Sequence, residues 1–300
     1  MAVVRIRADG GLVRRMVLTM FLLGLLYVVF VGVLIGIGVN WAIVLVVAVG
    51  GFLFQYFYSD KIALYSMHGR IVSPAEAPEL HAVVDRLCAL TDAPKPQVAI
   101  AEADMPNAFA TGRTPKRAVL CVTTGLLRRL EPEELEGVLS HELAHVAHRD
   151  VAVMTIASFL GVLAGMITRM ALYVRMGGRG RDNNAAVVVL GVVVASAIVY
   201  ALSFLLIRAL SRYRELAADH AGAIVTGRPS ALASALVKVS GEMGRIPTRD
   251  LRQAEAFNAF FFVPALARGF SLSSLFATHP PLERRLEQLG QLAAQLGGPA

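Results

Sequence analysis

The chain has 300 residues, 56% of them hydrophobic and only 17% charged, with a formal net charge of +7. The hydrophobic share exceeds the roughly 45–50% of ordinary globular domains. It is gathered into long runs, which argues against a single soluble domain with a periodic pattern. The basic residues lie beside those runs without interleaved aromatics, so no nucleic-acid partner is expected.

Arg5, Arg7, Arg14 and Arg15 precede an uncharged run from Met16 to Val39. That run is longer than the roughly 7–15-residue core of a signal peptide and reads as a retained membrane span. A second run, Trp41 to Tyr58, follows so closely that the two must form a hairpin. Phe54, Tyr56, Phe57 and Tyr58 close it, as aromatics do at a membrane interface. Lys61 and Arg70 follow, while the tip carries no charge. Basic flanks at both ends place those ends, and the domain that follows, in the cytoplasm.

Residues 59 to 150 read as soluble. Ser73-Pro74-Ala75-Glu76 has capping-box spacing and opens a helix expected to reach Thr91. Gln97 to Ala101 and Ala118 to Val122 read as short strands, and Asn107 to Thr111 as a weaker third. Cys88 and Cys121, in no CxxC pair, read as buried thiols of a reducing compartment. Glu131-Pro132-Glu133-Glu134 opens a further helix, acidic in its first turn as the helix dipole prefers.

That helix contains His141-Glu142-Leu143-Ala144-His145, an H-E-x-x-H motif. Residues four apart share a helix face, so both imidazoles point at one spot and can hold one Zn²⁺. Glu142 is turned only part way round and can take a proton from the attacking water. Catalytic zinc needs a third protein ligand, and His148, Asp150, Glu215, Asp219, His220 and His279 are all candidates. His148 lies on the same straight helix and cannot easily complete a tetrahedral set. Glu215 and Asp219, spaced E-x-x-x-D on a later helix, are favoured. The first can ligate, and the second can accept a hydrogen bond from a ligand imidazole.

The helix is expected to continue past Asp150 into a third apolar run, Val151 to Val174, broken only by Arg169. A turn rich in glycine and arginine leads to a fourth run, Ala185 to Ala209. Its Arg175, Arg179 and Arg181 run against the positive-inside rule, which leaves open whether this hairpin spans the bilayer. Helices are expected again over Ser230–Met243 and Leu282–Leu296.

His141–His145 with Asp150, the apolar hairpin, Ser211-Arg212-Tyr213-Arg214-Glu215 with Asp219, and Thr278-His279-Pro280-Pro281 together resemble the HtpX family of membrane zinc endopeptidases. These are relatives of the CAAX-prenyl endopeptidases. The likeness covers nearly the whole chain. It implies a mainly α, multi-pass membrane protein with a gluzincin-like helical zinc peptidase domain and a small β-sheet. Residues 1–58 would be a membrane hairpin and 151–209 a second one, with 59–150 and 210–300 the two parts of the peptidase domain. The resemblance also implies Glu215 as third ligand of one zinc per subunit, Glu142 as general base, and Asp219 and Asp150 behind the ligands. His279 would steady the oxyanion, and Arg285 would orient His279. Asn107, Ala108, Phe109 and Ala110 would form an edge strand that pairs with substrate. The expected role is cleavage of membrane or unfolded proteins at the cytoplasmic face of the inner membrane, in quality control under stress. A peptidase restricted to prenylated termini and a non-cleaving zinc scaffold are the alternatives.

Overall fold

The computed structural model describes residues 10–36, 40–112, 114–150, 153–159, 161, 163–165, 167, 183–243 and 279–297. Arg5, Arg7, Arg169, the arginines of the second hairpin's tip and Thr278 lie outside the described residues. Contacts divide the chain into two units, residues 13–59 with 153–210, and residues 60–152 with 211–300 and the first twelve.

The first unit is helical. It contains α1 (Gly10–Gly36), most of α2 (Trp41–Ser66), helical residues within Val153–Gly165, and the first part of α6 (Asn183–Thr226). Leu23, Phe30 and Leu34 of α1 are buried with Ala157, Val192 and Val199. The opposite faces expose Val17, Phe21, Val28, Val46, Phe54, Val187 and Ile198. So many exposed apolar side chains suit a lipid surface rather than water. Among the described residues two helices are long and apolar enough to cross a membrane, over Arg14–Gly36 and Val189–Thr226.

The second unit packs helices on one small sheet. Strands β1 (Gly69–Ile71), β2 (Gln97–Ala101), β3 (Ala108–Thr111) and β4 (Val119–Thr123) lie in the order β1-β2-β4-β3. β2 and β4 are parallel, with Ala99 opposite Cys121, and the two outer strands are antiparallel to their neighbours. Helices α3 (Pro78–Thr91), α4 (Thr124–Arg129), α5 (Pro132–Ala147), α7 (Pro229–Met243) and α8 (Leu282–Leu296) complete it. Val84 and Leu87 of α3, Val98 and Leu120 of the sheet, Leu139 of α5 and Leu236 of α7 share one core. The chain is thus mainly α with a small sheet, as expected.

Two helix boundaries depart from the sequence expectation. α3 begins at Pro78, not at Ser73. The capping-box contacts do form, Ser73 N and Oγ both donating to Glu76 Oε2 at 2.7 and 2.8 Å. But Pro78 bars the α conformation from the residue before it, and Ala77 sits at φ −139°, ψ 64°. α5 stops at Ala147 instead of running on into the third apolar run. His148 caps it, and Arg149 adopts the left-handed conformation at φ 56°. The chain is turned sharply there, and Asp150 is fully buried.

Candidate metal centre

The centre begins with α5. Glu131 and Glu134 form a reciprocal capping box with Pro132 at the first helical position. Glu134 also accepts from Ser234 Oγ at 2.6 Å and Lys238 Nζ at 2.8 Å, which fixes α5 to α7. His141 and His145 project from one face, their Nε2 atoms 3.1 Å apart.

Glu215 arrives on α6 because the two helices touch almost backbone to backbone. Ala144 of α5 is buried against Ala218 and Ala221 of α6. Ser140 Oγ donates to Gly222 O at 3.2 Å. A Cβ on Gly222 would sit 2.9 Å from His141 N, so no larger residue fits without a shift. At this spacing Glu215 Oε2 lies 3.6 Å from His141 Nε2, and Oε1 lies 3.4 Å from His145 Nε2. A tetrahedral site with bonds of about 2.0–2.1 Å needs ligand atoms about 3.3 Å apart. His141, His145 and Glu215 therefore fit a zinc-sized ion, and they form the one such group found among the described residues.

Each imidazole is backed by a buried aspartate. His141 Nδ1 lies 2.8 Å from Asp219 Oδ1, and His145 Nδ1 donates to Asp150 Oδ2 at 2.6 Å. An ionised carboxylate only accepts, so Nδ1 carries the hydrogen and Nε2 is left as the ligand atom. The break after α5 makes the second pair possible. In a continued helix residue 150 would be about 140° round from His145. Each aspartate in turn meets an arginine. Arg285 of α8 donates from Nε and Nη2 to Asp219, both at 2.7 Å. Arg214 Nε lies 3.0 Å from Asp150 Oδ2.

The charges of the group depend on one another. Burial opposes ionisation of Asp150, Asp219 and Glu215, but the cations beside them hold all three below the usual carboxyl range. Arg214 acts chiefly on Asp150, Arg285 on Asp219, and His279 on Glu215. Glu142 is different. Burial pushes its carboxyl up, and the neighbouring imidazoles only partly offset this. Its Oε2 accepts from Ala110 N at 3.0 Å, so the edge strand β3 steadies it.

His279 is buried just before α8, its Nδ1 3.0 Å from Glu215 Oε2. Arg285 grips Asp219, and its Nη1 stands 3.9 Å from the same Glu215 oxygen. Asn107 and Ala108 to Ala110 are buried along β3, beside α5. His220 is exposed and His148 half-buried, and neither belongs to the ligand group. The sequence gives Arg214 no role. Its spacing carries no signal of its own, since Arg208 and Arg212 lie as close to the apolar run.

Residues 74–293 match the family model for peptidase family M48. The chain is 62% identical over 293 residues to protease HtpX homolog 1 of Streptomyces coelicolor, covering 98% of this chain and 96% of that one. It is 55% identical over 294 residues to a protease HtpX homolog of Moorella thermoacetica, covering 96% and 97%. The fold is similar to the crystal structure of S. mikatae Ste24p, with a TM-score of 0.54 at 17% identity. That likeness covers 89% of this chain and 62% of Ste24p, so the chain spans under two thirds of that protein.

Proposed function

The chain belongs to the M48 peptidases of the HtpX type, a family of metalloproteases, and on that premise we propose that it is a zinc endopeptidase cutting membrane or misfolded proteins at the cytoplasmic face of the inner membrane. The observation that carries this reading is Glu142 lying in the buried α5 turn of His141 and His145, whose ligating atoms are gathered with that of Glu215 from α6.

His141, His145 and Glu215 would hold one zinc ion, which supplies Lewis acidity toward a carbonyl and makes water nucleophilic near neutral pH. Glu142 takes the proton of the attacking water and delivers it to the leaving amine. Its raised carboxyl affinity for protons suits both halves of that task. His279 donates toward the developing oxyanion. Arg285 serves the site through Asp219.

The edge strand offers the substrate a template. Thr123 N donates to Asn107 O at 2.9 Å, so the odd-numbered residues of β3 face β4. The backbone carbonyls of Ala108 and Ala110 then point away from β4, on the side where Ala110 N meets Glu142, and an extended peptide would pair there. The aspartates Asp150 and Asp219 keep the imidazoles in the ligating tautomer. Residues 1–58 and 151–209 form the membrane part and 59–150 with 210–300 the peptidase part. The positive-inside rule supports the cytoplasmic orientation.

The test is proteolysis of an unfolded membrane protein by detergent-purified protein, stripped with chelator and resupplied with zinc. Glu142→Gln is expected to keep stoichiometric zinc and lose at least about 10³-fold in rate, the scale of losing a base that acts only in the transition state. Cleavage retained in that variant removes Glu142 from the mechanism. Zinc-dependent cleavage confined to a prenylated peptide selects the narrower peptidase, and stoichiometric zinc with no cleavage selects the scaffold.

A further inference from the structure

We propose that Arg214 is a positioning residue for the metal ligand His145, acting through Asp150. The inference rests on the reading of His141, His145 and Glu215 as ligands. Three observations carry it. Arg214 Nε and His145 Nδ1 meet the same atom, Asp150 Oδ2, at 3.0 and 2.6 Å. All three side chains are buried, Asp150 completely. The arrangement repeats the one on the other imidazole, where Arg285 grips Asp219 and Asp219 meets His141.

The physical reason is the cost of a buried charge. A buried carboxylate is held in place by the partners it meets, and Asp150 Oδ2 lies between Arg214 Nε at 3.0 Å and His145 Nδ1 at 2.6 Å. An imidazole takes its orientation from the acceptor behind it, so a displaced Asp150 lets the His145 ring turn. Arg214 fixes the oxygen that His145 uses. Asp219 receives a two-pronged guanidinium, whereas the close Arg214 contact is a single Nε. His145 is therefore the ligand whose support depends on one contact.

Position along the chain adds a second consequence. Arg214 is the neighbour of Glu215, so two successive residues of α6 act on the centre in different ways. One offers the ligand carboxylate. The other stands behind a ligand on a different helix. A displacement of α6 at this turn thus disturbs two of the three ligands together, and seating α6 orients both.

The experiment uses the full chain in detergent, stripped of metal, with zinc affinity measured by competition against a chromophoric chelator. Cobalt(II) is bound in parallel, because its visible bands report ligand geometry. Arg214→Met, Asp150→Asn and the double variant form a cycle. Arg214→Met is expected to bind zinc about tenfold more weakly, the lower end of the 10–100-fold lost when the partner of a ligating histidine is removed. Its cobalt bands shift toward those of Asp150→Asn. Arg214→Lys recovers part of the loss. The double variant binds no worse than Asp150→Asn alone, because Arg214 has nothing left to act through. Wild-type affinity in Arg214→Met, or a double loss equal to the product of the single losses, overturns the proposal. The second result would mean that Arg214 acts on α6 itself. If Arg214→Met does not fold, the cycle is run with Arg214→Lys under the same criteria. Failure of the wild type to bind zinc or cobalt defeats the ligand reading, a result distinct from either of these.

Discussion

Protons on His141 and His145 govern how the centre takes up a metal. Burial works to lower both imidazole pKa values. Asp219 and Glu215 at His141, and Asp150 and Glu215 at His145, outweigh it, so both are raised in the metal-free chain. Nδ1–H is committed to the aspartates, so the extra proton sits on Nε2, the ligand atom. A metal must displace it. The sign follows directly. His145, raised to about 10, holds its proton at neutral pH, so zinc affinity rises with pH and weakens as pH falls. Titration calorimetry at pH 7 in buffers of different ionisation enthalpy is expected to show at least one proton released per zinc. Binding without proton release would mean that the imidazoles are already neutral. At this scale the H-E-x-x-H pair was legible because both residues lie on one helix, where spacing fixes geometry. Arg214 was not, because its partner lies beyond a helix break that only the folded chain reveals.

The meeting of α5 and α6 decides whether Glu215 reaches the histidines. Gly222 is the critical residue, since a Cβ there would press on His141 N at 2.9 Å and Cα at 3.1 Å. Backbone atoms cannot swing aside as a side chain can, so Gly222→Ala must move one helix. We expect zinc affinity to fall about tenfold or more, since a ligand oxygen displaced by a few tenths of an ångström no longer meets the distance tolerance of the site. Chelator competition measures it, and wild-type affinity would show slack between the helices. Membrane runs, two strands and the acidic start of α5 were plain in the sequence because each is a local pattern. β1 is three residues long and α4 six, too short for periodicity to register. The end of α5 was misread because nothing in His148-Arg149-Asp150 forbids a helix. The left-handed turn at Arg149 brings the Asp150 contact with His145, a tertiary cause.

For the whole molecule, the exposed apolar faces of α1, α2 and α6 set the solvent it requires. The protein is expected to stay in the membrane fraction through carbonate washing and to leave it only with detergent. Recovery in the carbonate supernatant would contradict an embedded chain. The centre itself is drawn from widely separated parts of the sequence. His141 and His145 come first, Arg214 and Glu215 some seventy residues later, and His279 and Arg285 last. At about 5–20 residues per second, a ribosome needs roughly 4 to 15 s to travel from His141 to Glu215. Throughout that interval the nascent chain holds at most part of its ligand set, so it has no means of cutting the insertion machinery or its unfolded neighbours. Pulse-labelled chains halted before Glu215 should fail to be retained on a zinc-affinity support that retains the finished protein in its folded state. Late delivery of Glu215 thus works as a built-in delay, holding the ligand set incomplete until more than two thirds of the chain has been made.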